Sequence, residues 1–76
     1  MPPKTRSTSL KELLTQKELD VASLVADGHS NVSIALELGI KAGTVKNHLT
    51  TIFKILGCKN RVQLAAKYLM ECGPNA

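Results

Sequence analysis

The chain has 76 residues, a net charge of +4 and 43% hydrophobic residues, which suits one small folded domain and argues against a disordered chain. Only Phe53 and Tyr68 are aromatic, so a sheet that stacks single-stranded bases is not supported. Six basic residues and no acidic one lie between Leu38 and Met70, and this one-sided positive charge favours a polyanionic partner over a plain solvated surface.

Residues 1–12 are predicted to form a flexible arm or linker, because the first ten are rich in Pro, Ser, Thr and basic side chains. A single domain is expected over residues 13–72, followed by a short tail at residues 73–76. No stretch alternates between apolar and polar residues with a period of two, so the domain is predicted to be all-α, with four helices.

The first two predicted helices have clear start signals. The first begins after Thr15, a good N-cap residue, and Glu18 completes a capping box three positions later. Gly28 ends this helix. The second helix is short, is capped by Ser30 or Asn31, and ends before a glycine that permits a tight turn.

The third predicted helix spans about residues 42–56 and has two contrasting sides. Apolar residues recur on one side at helical spacing: Val45, Leu49, Ile52 and Leu56. The opposite side carries small and polar residues without a carboxylate: Gly43, Lys46, Asn47, Thr50, Thr51 and Lys54. Natural solvent faces usually mix both signs of charge, whereas these groups can bond to phosphates and to base edges in a major groove. The pattern therefore favours groove recognition over ordinary solvation.

The fourth predicted helix begins after Asn60, has Gln63 in the reciprocal capping position and runs to about Glu71. Its apolar residues form two stripes. The first contains Val62, Ala65, Ala66 and Leu69, and the second contains Leu64, Tyr68 and Cys72.

Other chemistries find little support in the sequence. Cys58 and Cys72, taken with His29 and His48, do not match zinc-finger spacing, so neither a metal site nor a disulfide framework is expected. Nothing resembles an activated nucleophile with an oriented base, so neither an enzyme nor a cofactor is predicted. The chain has no apolar run of membrane-spanning length and no signal core, which predicts a cytoplasmic location. Groove recognition would make that location nucleoid-associated.

Five segments follow one another in a joined pattern: LTQKE (14–18), ADGHSN (26–31), IALELGI (34–40), TVKNHL (44–49) and LGCKNRVQLA (56–65). The pattern resembles the LuxR/FixJ-type helix-turn-helix domain of bacterial transcription regulators, also called the GerE-like domain. TVK alone also occurs in region 4 of sigma factors, but TVKNHL followed by LG and NR is specific. The resemblance implies four helices, with the third lying in the major groove of DNA.

The resemblance also implies residue roles. Base contacts are expected at the outward residues after the TV pair, which are Lys46, Asn47 and Thr50. Phosphate contacts are expected at Lys41, Thr44, His48, Thr51, Lys54, Lys59 and Arg61. Alternatives stay open for three of these residues: Thr44 and His48 as packing residues at the boundary of the core, and Arg61 as the partner of a carboxylate such as Glu18. Lys41 stands where the family often has a serine that caps the recognition helix.

The resemblance further implies two partners: duplex DNA, and a second copy of the chain bound through the fourth helix at Leu64 and Tyr68. No membrane contact and no small-molecule ligand are expected for this domain. The alternative is a protein-interaction module with the same fold, either an anti-activator or a piece that contacts RNA polymerase as sigma region 4 does. The apolar residues Val32, Leu36 and Ile55 motivate it. The linker-like first ten residues favour the output end of a larger regulator over a complete one.

Overall fold

A computed structural model describes residues 10–72, without the side chain of Cys72. The predictions for the arm at residues 1–9 and the tail at residues 73–76 lie outside this range. The described residues form five helices: α1 (Leu10–Leu13), α2 (Gln16–Ala26), α3 (Asn31–Leu38), α4 (Ala42–Leu56) and α5 (Arg61–Cys72). Helices α2 to α5 are the four predicted helices, and no strand is present within residues 10–72, which confirms the all-α prediction.

Helix α1 differs from the sequence prediction, which places residues 10–12 in a flexible arm. The Leu10 side chain is 0% exposed, and its backbone N–H donates a hydrogen bond of 3.2 Å to Oε1 of Glu71. One helical turn is not stable in isolation, so the packing of α1 against α2 and α5 stabilises it. The folded domain therefore includes residues 10–12, and the predicted boundary at residue 13 is wrong.

Side-chain caps fix the starts of α2 and α3. Thr15 Oγ1 accepts from the backbone N–H of Glu18 at 3.2 Å, and Glu18 Oε1 accepts from the Thr15 N–H at 2.9 Å. These two bonds confirm the predicted capping box. Ser30 caps α3, because its Oγ accepts from the N–H of Ser33 at 3.1 Å. The amide side chain of Asn31 is consequently available for another contact.

The connections around α4 are short and use specific local chemistry. Gly39 ends α3 with φ of 69°, in the left-handed region where glycine is favoured, and the chain turns directly into α4. After α4, Asn60 Oδ1 accepts from the N–H of Gln63 at 2.9 Å, which confirms Asn60 as the predicted cap of α5. The Gln63 side chain accepts from the N–H of Lys59 at 2.7 Å, and so holds the residue just before the cap.

The core lies where α2, α3, α4 and α5 meet. Its most deeply buried apolar side chains are Val21, Ala22, Ile34, Val45, Ile52 and Leu64. Helix α2 packs mainly against α5, and α3 packs mainly against α4; α2 also contacts α4, while α4 and α5 share a smaller contact. The domain thus consists of two helix pairs, α2–α5 and α3–α4, joined by apolar packing between α2 and α4.

Helix α5 buries the stripe that the sequence prediction assigned to a dimer interface. Leu64 is 0% exposed and belongs to the core, so its proposed role in contacting a second chain is wrong. Tyr68 is half-buried against the core, where it lines a groove with Lys11 and Asp20. The exposed stripe of α5 is instead formed by Val62, Ala66, Leu69 and Met70.

Candidate nucleic-acid interface

Helix α4 is anchored on one side and exposed on the other. Val45 and Ile52 are 0% exposed and Leu49 is 5% exposed, so the apolar stripe faces the core as predicted. Every residue on the opposite side is exposed, and we call this side the outer face of α4; it contains Gly43, Lys46, Asn47, Thr50, Thr51 and Lys54. Because buried packing fixes the helix, these side chains project from a rigid support.

The outer face of α4 offers hydrogen-bond donors and acceptors without any carboxylate. Lys46 can only donate, and the Asn47 amide can both donate and accept. The Thr50 hydroxyl donates to the backbone carbonyl of Lys46 at 3.1 Å. While this bond is made, the Thr50 oxygen presents its lone pairs to an outside partner. A mixed donor and acceptor set of this kind matches the edges of base pairs.

The start of α4 has no side-chain cap. The N-cap residue is Lys41, whose side chain forms no capping bond, while its carbonyl accepts from the N–H groups of Thr44 at 2.9 Å and Val45 at 3.1 Å. The N–H groups of Ala42 and Gly43 precede the first intrahelical bonds and belong to exposed residues. A Cβ at Gly43 would meet nothing within 4 Å, so an anion can approach this positive helix end closely.

One groove brings together four of the predicted contact residues. It lies beside α4 at the start of α5, and Lys46, Thr50, Lys59 and Arg61 line it. Leu49 and Phe53 form the apolar part of its lining. Three cationic side chains from two helices and the intervening turn therefore converge on the edge of the outer face of α4.

The other predicted contacts lie along the length of α4. Thr44 and His48 are half-buried at one edge of the outer face, whereas Thr51 and Lys54 are exposed. Ile55, beside Lys54, is 41% exposed. This surface is contiguous along the helix, and the contact roles of its residues remain predictions.

Arg61 connects the start of α5 to the start of α3. Its Nη1 donates to Oδ1 of Asn31 at 2.8 Å, and its Nη2 donates to the backbone carbonyl of His29 at 2.7 Å. We call these three residues the Arg61 bracket. The partners of Arg61 are thus neutral oxygens near α3, whereas Glu18 accepts from the N–H of Thr15. Because Ser30 rather than Asn31 caps α3, the Asn31 amide is uncommitted; the sequence offers both residues as caps and does not single out this link.

Residues 10–72 contain neither a membrane span nor a metal-ligand cluster. None of their helices combines the length and apolar character that crossing a lipid bilayer demands. Within the same range, His, Cys, Asp and Glu side chains nowhere gather in a group of three that could hold a metal ion.

The model of the family "Bacterial regulatory proteins, luxR family" matches residues 12–68. This range includes helices α2, α3 and α4 and most of α5, and therefore the whole outer face of α4. The family is one of regulatory proteins rather than enzymes, in agreement with the sequence prediction.

Three relatives share this domain. The transcriptional regulatory protein DesR of Bacillus subtilis is 48% identical over 50 residues, which cover 66% of this chain and 25% of DesR. The transcriptional regulatory protein LiaR of the same organism is 43% identical over 54 residues, 71% of this chain and 26% of LiaR. The HTH-type transcriptional activator RamA of Corynebacterium glutamicum is 46% identical over 50 residues, 66% of this chain and 18% of RamA.

The chain matches between 18% and 26% of the length of these three relatives, so the likeness concerns one domain of each. No solved structure matches the chain. The family model nevertheless covers most of the sequence, from the first turn of the domain to the last helix. The chain belongs to the luxR family of bacterial regulatory proteins.

Proposed function

We propose that this domain binds duplex DNA sequence-specifically for a transcription regulator, with α4 in the major groove. The observation that carries the proposal is the outer face of α4, which is exposed, free of carboxylates and fixed from behind by Val45, Leu49 and Ile52. The major groove of B-DNA admits an α-helix. The proposal covers both a complete regulator and the output domain of a larger one.

Lys46, Asn47 and Thr50 read the bases in this proposal. Lysine donates to the O6 and N7 acceptors of guanine, and asparagine can bond to both N6 and N7 of adenine. Thr50, whose hydroxyl hydrogen is held by the Lys46 carbonyl, accepts from the amino group of adenine or cytosine. The three side chains therefore recognise different base edges.

Phosphate contacts supply most of the affinity. Lys41 acts together with the uncapped start of α4, and the exposed Lys54 and Lys59 extend the contact along the backbone. Thr44, His48 and Thr51 add neutral contacts at the edge of the outer face. The guanidinium group of Arg61 has five N–H donors, so the two bonds of the Arg61 bracket leave others that can reach a phosphate.

We infer that two copies bind together through the exposed stripe of α5. Val62 is 74% exposed, Leu69 is 47% exposed and Met70 is 80% exposed, and with Ala66 they recur at helical spacing. Two identical stripes can form a self-complementary interface about a two-fold axis. Such a dimer places two recognition helices on half-sites roughly 10 base pairs apart.

Replacement of Lys46 tests the base-reading role. In a gel-shift titration, Lys46→Ala is expected to weaken binding to a duplex enriched from a random pool by about 1–3 kcal/mol. Binding to a scrambled duplex changes much less. Lys17→Ala is the matched control, since it removes the same charge from the exposed surface of α2. This variant should bind both the enriched and the scrambled duplex as the unmodified chain does. Equal losses on both duplexes would make Lys46 a phosphate contact, and no duplex binding at low salt would refute the proposed function.

A second candidate is a protein-interaction module, for instance one that contacts RNA polymerase or acts as an anti-activator. Val32 is 62% exposed and Leu36 is 80% exposed on successive turns of α3, and Ile55 adds apolar surface on α4. A salt titration separates the two functions. DNA affinity must fall steeply as salt rises, whereas contact with an apolar surface is insensitive to salt or strengthened by it.

A further inference from the structure

The two surfaces of the proposed function lie on different helix pairs. The base-reading outer face belongs to α4, in the pair α3–α4, whereas the exposed apolar stripe belongs to α5, in the pair α2–α5. When two chains join through α5, the distance between their recognition helices depends on how rigidly the two pairs are connected. The inference below therefore rests on the proposed dimeric DNA-binding function.

The Arg61 bracket is a polar connection between these pairs. Arg61 is the first residue of α5 and Asn31 is the first residue of α3, with His29 in the turn just before α3. The two donated bonds measure 2.8 Å and 2.7 Å and come from one planar guanidinium group. Because that group is rigid and charged, it fixes both acceptors in direction as well as in distance.

Both ends of the bracket are themselves held in place. On the α3 side, the His29 N–H donates to the Leu24 carbonyl at 3.0 Å, and His29 Nδ1 lies 2.8 Å from Ser33 Oγ. On the α5 side, Asn60 caps the helix that Arg61 begins. We propose that Arg61 is a positioning residue which, through Asn31 and His29, sets the half-site spacing that the dimer accepts.

A small change in this connection has a large effect at the DNA. Helix α4 has 15 residues, and at a rise of 1.5 Å per residue it is about 22 Å long. If the pair α3–α4 rotates by roughly 10° relative to α5, the far end of α4 moves by about 4 Å, close to the rise of about 3.4 Å per base pair. A loosened bracket therefore permits binding at neighbouring spacings.

The test compares affinities across a series of duplexes that differ in half-site spacing. The half-site is the DNA sequence that the 76-residue chain selects from a random pool of duplexes. Each duplex carries two copies of this half-site, and the distance between their centres increases by one base pair from one duplex to the next. Asn31→Ala removes one acceptor without changing any charge. Arg61→Lys keeps the charge but lacks the planar fork that holds two acceptors. Asn31→Asp keeps an oxygen at the same position, and Val32→Ala is a control on the same turn of α3.

The unmodified chain is expected to prefer one spacing. For each duplex series we compare the affinity at the best spacing with the affinity at the neighbouring spacings. Asn31→Ala and Arg61→Lys should reduce this ratio by roughly tenfold, because each removes a hydrogen bond that involves a charged group. Asn31→Ala keeps its affinity for a single half-site within about twofold, since it changes no charged group that contacts phosphate. Arg61→Lys alters a proposed phosphate contact, so for this variant only the ratio between spacings is compared. Asn31→Asp and Val32→Ala should keep the ratio of the unmodified chain.

Two results would overturn the proposal, and they have different meanings. If Asn31→Ala and Arg61→Lys both retain the spacing preference of the unmodified chain, the bracket does not set the spacing. If the unmodified chain binds DNA without any spacing preference, the dimeric function fails first and the inference fails with it. Thermal unfolding of each variant shows that it is folded at the assay temperature, and the single half-site affinity shows that the outer face of α4 is intact.

Discussion

Replacing Lys41 with serine should stabilise the domain and weaken its binding to DNA. The backbone at Lys41 has φ of −83° and ψ of 151°. Thr15 has −69° and 167°, and Ser30 has −78° and 168°; both of these residues cap their helices through side-chain oxygens. In Lys41→Ser the new Oγ can therefore accept from the N–H of Gly43, at the second position of α4, or share the N–H of Thr44 with the carbonyl of residue 41.

The expected gain in stability follows from two effects. A serine N-cap is worth about 1 kcal/mol relative to a residue that does not cap. Removing a positive charge from the start of a helix adds about 0.3–1 kcal/mol, because the charge opposes the helix dipole. The free energy of unfolding should rise by about 1–2 kcal/mol, and for a domain of this size the Tm rises by at least about 4 °C. Thermal unfolding followed by circular dichroism measures this change.

The cost appears in the DNA affinity. Loss of one cationic phosphate contact should reduce the slope of log K against log salt by about 0.9, equally on enriched and scrambled duplexes. Lys17→Ser is the matched control, because position 17 lies inside α2 and a serine there cannot act as a cap. A Tm that does not rise in Lys41→Ser would refute the conclusion that α4 begins without a stabilising cap. A salt slope that does not change would refute the phosphate contact of Lys41.

Three further predictions concern the core, the dimer and the base contacts. Leu64→Ala should lower the free energy of unfolding by about 2–5 kcal/mol because it creates a cavity in the core, which denaturant titration measures; a loss near zero would contradict the burial of Leu64. Leu69→Glu should abolish cooperative binding to paired half-sites in gel shifts while single half-site binding remains. Retained cooperativity would show that the exposed stripe of α5 is not the dimer interface. Thr50→Val should remove the preference for an adenine or cytosine amino group in duplexes selected from a random pool, and Thr50→Ser should keep it. Identical selected sequences for both Thr50 variants would show that the hydroxyl does not read a base.

The helix positions could be predicted from the sequence because they are set by local chemistry. Thr15 and Glu18 stand three residues apart and form the reciprocal bonds that this spacing predicts. The exposed and buried sides of α4 likewise follow from a single helical period, with Val45 and Ile52 buried and the basic residues outside. Nothing outside these short segments is needed to derive them.

The features that sequence reasoning missed depend on contacts between distant residues. Leu10 is buried because its helix packs on α5, near Glu71, which lies 61 positions away in the chain. The link between Arg61 and Asn31 spans 30 positions. The two stripes of α5 are both apolar, so periodicity alone could not show that the side with Leu64 faces α2 and the core.

The claim that α4 reads DNA is tested most directly by titrating the ¹⁵N-labelled chain with the enriched duplex. The amide chemical shifts are recorded at each step. We expect the largest changes on the outer face of α4, at Lys46, Asn47 and Thr50, and at the uncapped start of this helix. Changes in the middle of α2 should be small. Changes centred on Val32 and Leu36 of α3, with α4 unaffected, would contradict the claim that α4 reads DNA.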